Sequence, residues 1–384
     1  MVRAVRRGVH YTGRVTRRRR EIFHLATESE LQSGIGAAHY RPARLPQDGF
    51  VHCCGEASTA RAVARDYFSG AAEPVFALRI DPARLDAELR FEAPAPLPGL
   101  PATHTARARS FPHVFGPIAL RAISGAAVLE RSGRELLWPA KFAPLAESLA
   151  ASIGARLRAL EASGLAALRG LRRELSERLC SSPSRLVIEL ATALLEGGAS
   201  GARVLASELV LHHPTALERI TPAQVKRLAG RLTRWSDVDV FACAIAGQAL
   251  RRGALTDAHL LRWTRSRDRF WRRAALVATV PLNVRAQGGS GDRQRTLRVC
   301  RALVHDRDDT VVKALSWALR ALAERDAPAV RRFLASQHAR LAPRVLREVG
   351  NKLRTGLKNP RAARTPGGGH RHRSPGSAVA CPSR

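Results

Sequence analysis

Four residues far apart in the chain have the types and spacing to do chemistry together: Trp235, Asp239, Arg273 and Trp317. Trp235 and Asp239 stand four apart in the run Arg234-Trp235-Ser236-Asp237-Val238-Asp239, so on a helix their indole and carboxylate share one face. Arg273 follows Trp235 by 38 residues and Trp317 follows Arg273 by 44, close to the roughly 40–47-residue period of HEAT-type helical repeats. That spacing predicts similar places in successive repeats, facing one groove. An indole face attracts cations, a partly desolvated carboxylate exerts a strong field, and a guanidinium can hold a phosphate.

Each member has a plainer reading beside the functional one. Asp239 is expected in the first turn of its helix, where the dipole favours an anion and small Ala242, Cys243 and Ala246 leave room for an approaching backbone. Alternatively, Ser236 or Asp237 caps that helix and Asp239 only complements the dipole. Arg273 precedes Leu276 and Val277 on its face, so its charge needs an acceptor. Two remain open: a salt bridge to Asp239 or Asp268, or a phosphate in the groove. In the helix of Trp317 the apolar stripe is Ala314, Leu315, Ala318, Leu319 and Leu322. Trp317 lies off it, beside Lys313 and Arg320, which suits a surface meeting a polyanion. Trp263 and Trp271 read as packing residues.

The whole-chain charge agrees with such a partner. Over 384 residues the net charge is +32, and only five of the 64 basic residues are lysines. A field of that sign favours a polyanion, although compositional bias explains part of the arginine excess. The six cysteines show no paired C-x-x-C spacing, so neither a zinc site nor a disulfide framework is suggested; no metal or cofactor is expected. Nothing approaches the ~18 consecutive apolar residues of a membrane span, and no apolar core follows Arg17–Arg20 as in a signal peptide. The expectation is a cytoplasmic, nucleoid-associated monomer with no membrane partner.

The expected architecture is multidomain: a small α+β N-terminal domain followed by an all-α HEAT-like solenoid. Residues 1–20 read as a basic disordered arm. Residues 21–131 carry strand patterns at Ile22–Leu25, Gly49–His52, Pro74–Ile80 and Ala126–Leu129, a helix over Ser58–Phe68, a turn at Asp81–Leu85 and a proline-rich loop at Pro94–Pro101. Residues 132–180 read as a helical connector or first repeat, with Leu145, Leu149, Ile153, Leu157 and Leu160 on one face. The HEAT-like region spans 181–355, with caps expected at Thr221, Thr256 and Asp308 or Asp309. Gln287–Gly291 reads as a flexible loop. Residues 356–384, including His370 to Arg373, read as a basic disordered tail rather than a metal site.

Two family resemblances sharpen these expectations. Ile22–Thr27 (IFHLAT), Gly49–Cys53 (GFVHC), Ile80–Leu85 (IDPARL) and Phe111–Pro117 (FPHVFGP) resemble a short bacterial family, domain of unknown function 952. That resemblance implies an ADP-ribosyltransferase-like α+β fold. His24, His52 and His113 are its candidates for a phosphate or nucleotide pocket, with structural strand-end histidines as the alternative. Cys54 stands where the family usually has Ser or Thr.

The segments Trp235–Asp239, Phe270–Ala275, Val312–Arg320 and Arg340–Pro343 resemble the DNA alkylation repeat family, the AlkD-like DNA glycosylases, across about residues 150–355. The likeness implies excision of N3- or N7-alkylated purines from double-stranded DNA without a cofactor. By position Asp239 would be the catalytic aspartate, Trp235 and Trp317 the aromatic pair at the lesion sugar, and Arg273 a backbone contact; Arg272, Lys313 and Arg320 are further DNA-binding candidates on their charge and placement. Residues 141–200 match the pattern poorly. Two other readings stay open: a non-catalytic helical-repeat DNA-binding protein, or a nucleotide-processing N-terminal domain with the repeats as platform.

Overall fold

Val75-Phe76-Ala77-Leu78-Arg79-Ile80 is apolar on both faces except at half-buried Arg79, as suits a central strand. In the computed structural model it is the centre of an antiparallel sheet between Ile22–Thr27 and Ile123–Val128. The described residues are 21–93 and 110–360. The arm at 1–20, the Pro94–Pro101 loop and the tail from 361 onward, including His370 to Arg373, lie outside them.

These residues fall into two compact units that divide between Ser148 and Leu149. In the first, a second antiparallel sheet sets Phe111–Phe115 between Val51–His52 and Glu88–Glu92. The Phe23–Cys54 bridge ties it to the first sheet, and the helix Ala57–Phe68 buries Ala60 and Ala64. Glu88–Glu92 was not expected as a strand, because its side chains are largely exposed and carry no apolar alternation.

The expected boundary at residue 131 is displaced for a physical reason. Residues 130–137 form a hairpin rather than the start of a helical connector. Beyond it Trp138 and Phe142 pack on Phe23, with ring centroids 5.4 and 5.8 Å away, and Ala143 bridges to Ala126. Removing these aromatics from water holds the segment on the first sheet.

The second unit is helical, and its polar residues mark where helices begin. Thr221 and Gln224 form a capping box ahead of Pro222–Ala229. Aspartate side chains accept backbone N–H groups at the starts of Arg269–Val277 (Asp268), Arg293–Ala302 (Asp292), Asp309–Ala323 (Asp308) and Ala327–Ser336 (Asp326), satisfying donors that helix ends leave orphaned. Arg269–Val277 packs on both Trp235–Phe241 and Asp309–Ala323, and the last of these packs on Pro343–Thr355.

Two local features depart from expectation. The helix starting at Trp235 runs through a π turn at Ala242–Ala246 before regaining α geometry over Gly247–Arg251. Gly247 has an ordinary φ of −69°; its requirement is space, since a Cβ there would lie 2.6 Å from Pro281 Cγ and 2.7 Å from the Ala278 carbonyl oxygen. Gly247→Ala is expected to cost about 1–3 kcal/mol through overpacking, read as a lower melting temperature; an unchanged melt would mean the 278–281 turn yields freely.

The segment Gln287–Gly291 is a packed turn, not a flexible loop. Gly289 and Gly291 donate backbone hydrogen bonds to Val284 and Leu282, Gln248 donates to the Gln287 carbonyl at 3.0 Å, and Arg325 donates to the Asn283 and Gly289 carbonyls. A Cβ on Gly289 would sit 2.3 Å from the Pro281 carbonyl oxygen. Its glycine serves close approach rather than mobility.

Candidate active site

Trp235 opens its helix directly after Arg234, the N-cap, whose side chain makes no cap hydrogen bond. Neither Ser236 nor Asp237 caps the helix. Asp237 instead accepts from Thr233 and Arg234 at 3.5 Å each. The Trp235 indole, 58% exposed, projects from the surface. Asp239 comes one turn later, beyond the first turn where it was expected, so the helix dipole contributes little to it.

What Asp239 meets instead is Arg273. That residue is 5% exposed, and its guanidinium engages the carboxylate with two prongs: Nε donates to Oδ1 at 2.8 Å and Nη2 to Oδ2 at 2.7 Å. Its Nη1 donates to the Thr310 carbonyl oxygen, and its Cζ lies 6.0 Å from the Trp235 ring centre. Of the two acceptors left open for Arg273, the internal carboxylate is the one it holds. Burial pushes the Asp239 carboxyl up from the usual range, while the hydrogen bonds and charge of Arg273 pull it down; the net direction is upward.

Trp317 reaches the same place from its own helix. Ala314, Leu315, Ala318, Leu319 and Leu322 are buried in the core, whereas Lys313 is exposed and Trp317 and Arg320 are half-buried. Trp235, Arg273, Thr310, Lys313, Trp317, Arg320 and Lys358 line one cleft of about 490 Å³. Asp239 sits behind its Arg273 wall with 18% of its side chain exposed. Lys313 also pairs with Asp309 at 2.7 Å. Burial draws the Arg320 guanidinium down from its ordinary value, against the pull of Glu348 and Glu324.

Arg272 is not part of this arrangement. Its Nε donates to Asp306 at 2.7 Å and its Nη1 to the Ser266 and Arg267 carbonyls. Trp263 and Trp271 pack together, ring centroids 5.0 Å apart, and against Phe241. Thr310 and Lys358 were not foreseen at the cleft. Thr310 enters through its backbone carbonyl, which no side-chain pattern reveals. Lys358 falls in what read as a tail, but Gly356, at φ +73°, turns the chain after Pro343–Thr355 and Asn351 Nδ2 donates to the Lys358 carbonyl.

In the first unit, His52 and His113 are cross-strand partners with rings 5.1 Å apart. Phe50 stacks on His113 at 4.1 Å, and His113 Nδ1 lies 2.6 Å from Glu92. His24 is buried behind them. Its Nδ1 donates to the His52 carbonyl at 2.8 Å, leaving Nε2 to accept from the Tyr40 hydroxyl at 3.3 Å. Burial lowers its pKa to about 4, so its imidazole is neutral at pH 7. Cys54 is buried too, its thiol pushed up to about 12, which leaves no nucleophilic thiolate at neutral pH. Among the described residues no three His, Cys, Asp or Glu side chains are grouped to hold a metal, and no helix is long and apolar enough to cross a membrane.

Comparison with known proteins divides the chain along the same lines. Residues 165–353 match the family model described as "DNA alkylation repair enzyme", and residues 25–126 match "Protein of unknown function (DUF952)". No curated protein matches the chain. Among solved structures, protein CC0527 from Caulobacter crescentus is similar at 19% identity, over 30% of this chain and 91% of that one, with a TM-score of 0.25.

Proposed function

We propose that the DNA alkylation repair domain of this chain excises N3- or N7-alkylated purines from double-stranded DNA. In this reading the helical unit is a HEAT-type array, and its cleft meets the lesion strand. The observation that carries it is the convergence of Trp235, Trp317 and the Asp239–Arg273 pair, far apart in the chain, on one cationic cleft.

The chemistry asks little of the protein as an acid. An N3- or N7-alkylpurine already bears positive charge, so the C1′–N9 bond can break with its electron pair passing to the base, which leaves neutral. The barrier lies in the oxocarbenium-like sugar left behind. Two indole faces and a carboxylate fixed beforehand stabilise that cation without reorganisation. Water then adds to C1′, and its proton passes to Asp239 or to solvent. The products are the free base and an abasic site.

Trp235→Ala separates this contribution from folding, because the exposed indole adds little to the core. Loss of one cation–π contact of about 0.5–2 kcal/mol is expected to slow base release about 2- to 30-fold, with an unchanged melting temperature. Unchanged release would remove Trp235 from the mechanism.

The deciding experiment measures release of 7-methylguanine or 3-methyladenine from methylated duplex by the full-length protein. A second reading, a DNA-binding protein without catalysis, is favoured by one observation: Asp239 is doubly engaged by Arg273, as in a structural ion pair. Salt-sensitive duplex binding with no base released would establish it.

A further inference from the structure

Glu348 is a carboxylate with 4% exposure on the helix Pro343–Thr355, and its two oxygens lead to two different cations of the cleft, one directly and one through a hydroxyl. Oε2 accepts from the Ser316 hydroxyl at 2.6 Å, and Ser316 Oγ in turn accepts from Arg320 Nε at 3.3 Å. Oε1 lies 3.6 Å from Lys358 Nζ. Such a buried charge is costly unless paired, and here the pairing orients Arg320 through Ser316 and Lys358 directly.

Lys358 keeps 43% of its side chain exposed while Glu348 keeps 5%, so the ammonium is anchored on one side and open on the other. The residues lining the cleft include four cations, Arg273, Lys313, Arg320 and Lys358, and no carboxylate. Of these, Arg273 is spent on Asp239 and Thr310, and Lys313 pairs only with Asp309, itself exposed on the surface. Arg320 and Lys358 are the two that share one buried carboxylate as anchor. Lys358 also lies beyond the span matched by the DNA alkylation repair family model, which ends at residue 353.

We propose that Glu348 is a positioning residue that holds Arg320 and Lys358 as a clamp on the backbone phosphates of bound duplex DNA. The clamp rests on the duplex-binding half of the function proposed above. Its anchored cations lose less freedom on meeting a phosphate than free side chains would.

The test is equilibrium binding of the full-length protein to an undamaged duplex across a range of salt. Lys358→Gln should flatten the slope of log affinity against log salt by about 0.9, one phosphate contact, so that the affinity lost between about 50 and 200 mM salt shrinks about threefold. Lys358→Arg should restore the slope. Glu348→Gln gives opposite signs for the two explanations. Removing a negative charge beside the cleft tightens binding if bulk electrostatics alone matters, whereas loss of positioning weakens it about threefold, the share of one contact over that range. Ser316→Ala, which breaks the link to Arg320 without changing charge, should weaken binding likewise and guards against misfolding of the Glu348 variant. If wild type binds duplex steeply but Lys358→Gln leaves the slope unmoved, or Glu348→Gln binds tighter, the clamp alone is overturned. If wild type holds no duplex at all, the proposed function falls with it.

Discussion

Asp239→Asn is expected to slow release of alkylated purine by about 10²–10³-fold, the usual loss when a preorganised electrostatic contributor is removed, while duplex affinity stays nearly intact. In the proposed mechanism the two readouts separate, because the Asp239 charge stabilises positive charge that develops at the sugar, whereas its loss removes no contact to a phosphate. Asparagine keeps the shape and one acceptor oxygen but sets its Nδ2 against the second guanidinium donor, so release is compared at a temperature where the melt shows the variant folded. The pH profile supplies a second measurement of the same claim. Burial pushes the Asp239 carboxyl up, with Arg273 opposing, and in the proposed mechanism the ionised form is the one that stabilises the cation. Release should therefore fall as pH drops through a point above the ordinary value of about 3.9 for aspartate, and that acid limb should vanish in the Asn variant. A variant that releases base within tenfold of wild type would exclude Asp239 as the electrostatic partner.

How much of this was legible in the chain depends on how local the information is. The face shared by Lys313, Trp317 and Arg320 follows from i, i+3 and i+4 spacing alone, and all three line the cleft. Helix starts were readable for the same reason: Thr221 and Asp308 cap within their own turn. The Arg273 acceptor could not be chosen between carboxylate and phosphate, because the choice depends on a neighbouring helix. The π turn at Ala242–Ala246 was invisible, since small residues fit α geometry equally well; it ends where Gly247 comes close to the 278–281 turn. Glycine misled at Gln287–Gly291, where a need for space looks in sequence like a need for freedom. Lys358 was lost in a compositional tail, although Gly356 three residues after Leu353 is the ordinary mark of a helix end that turns back.

Arg273→Met is expected to destabilise the helical unit by about 3 kcal/mol, the lower end of the cost of breaking a buried ion pair, lowering its melting temperature by roughly 6–12 °C. The lower end applies because Asp239 keeps 18% side-chain exposure and can recover some hydration, whereas Arg273 keeps 6%. Lysine does not replace the arginine, since one ammonium cannot reproduce the fork on both carboxylate oxygens together with the contact to Thr310. The informative variant is the double one, Asp239→Leu with Arg273→Met. Exchanging both charges for apolar groups of similar volume is often neutral or stabilising, so the melting temperature should return to near the wild-type value. Base release should not return with it, because the carboxylate is gone. A double variant that stays as unstable as Arg273→Met would mean that Arg273 matters through Thr310 rather than through Asp239. A double variant that regains both stability and release would show the ion pair to be dispensable for chemistry, and the catalytic charge would then have to be sought elsewhere along the cleft.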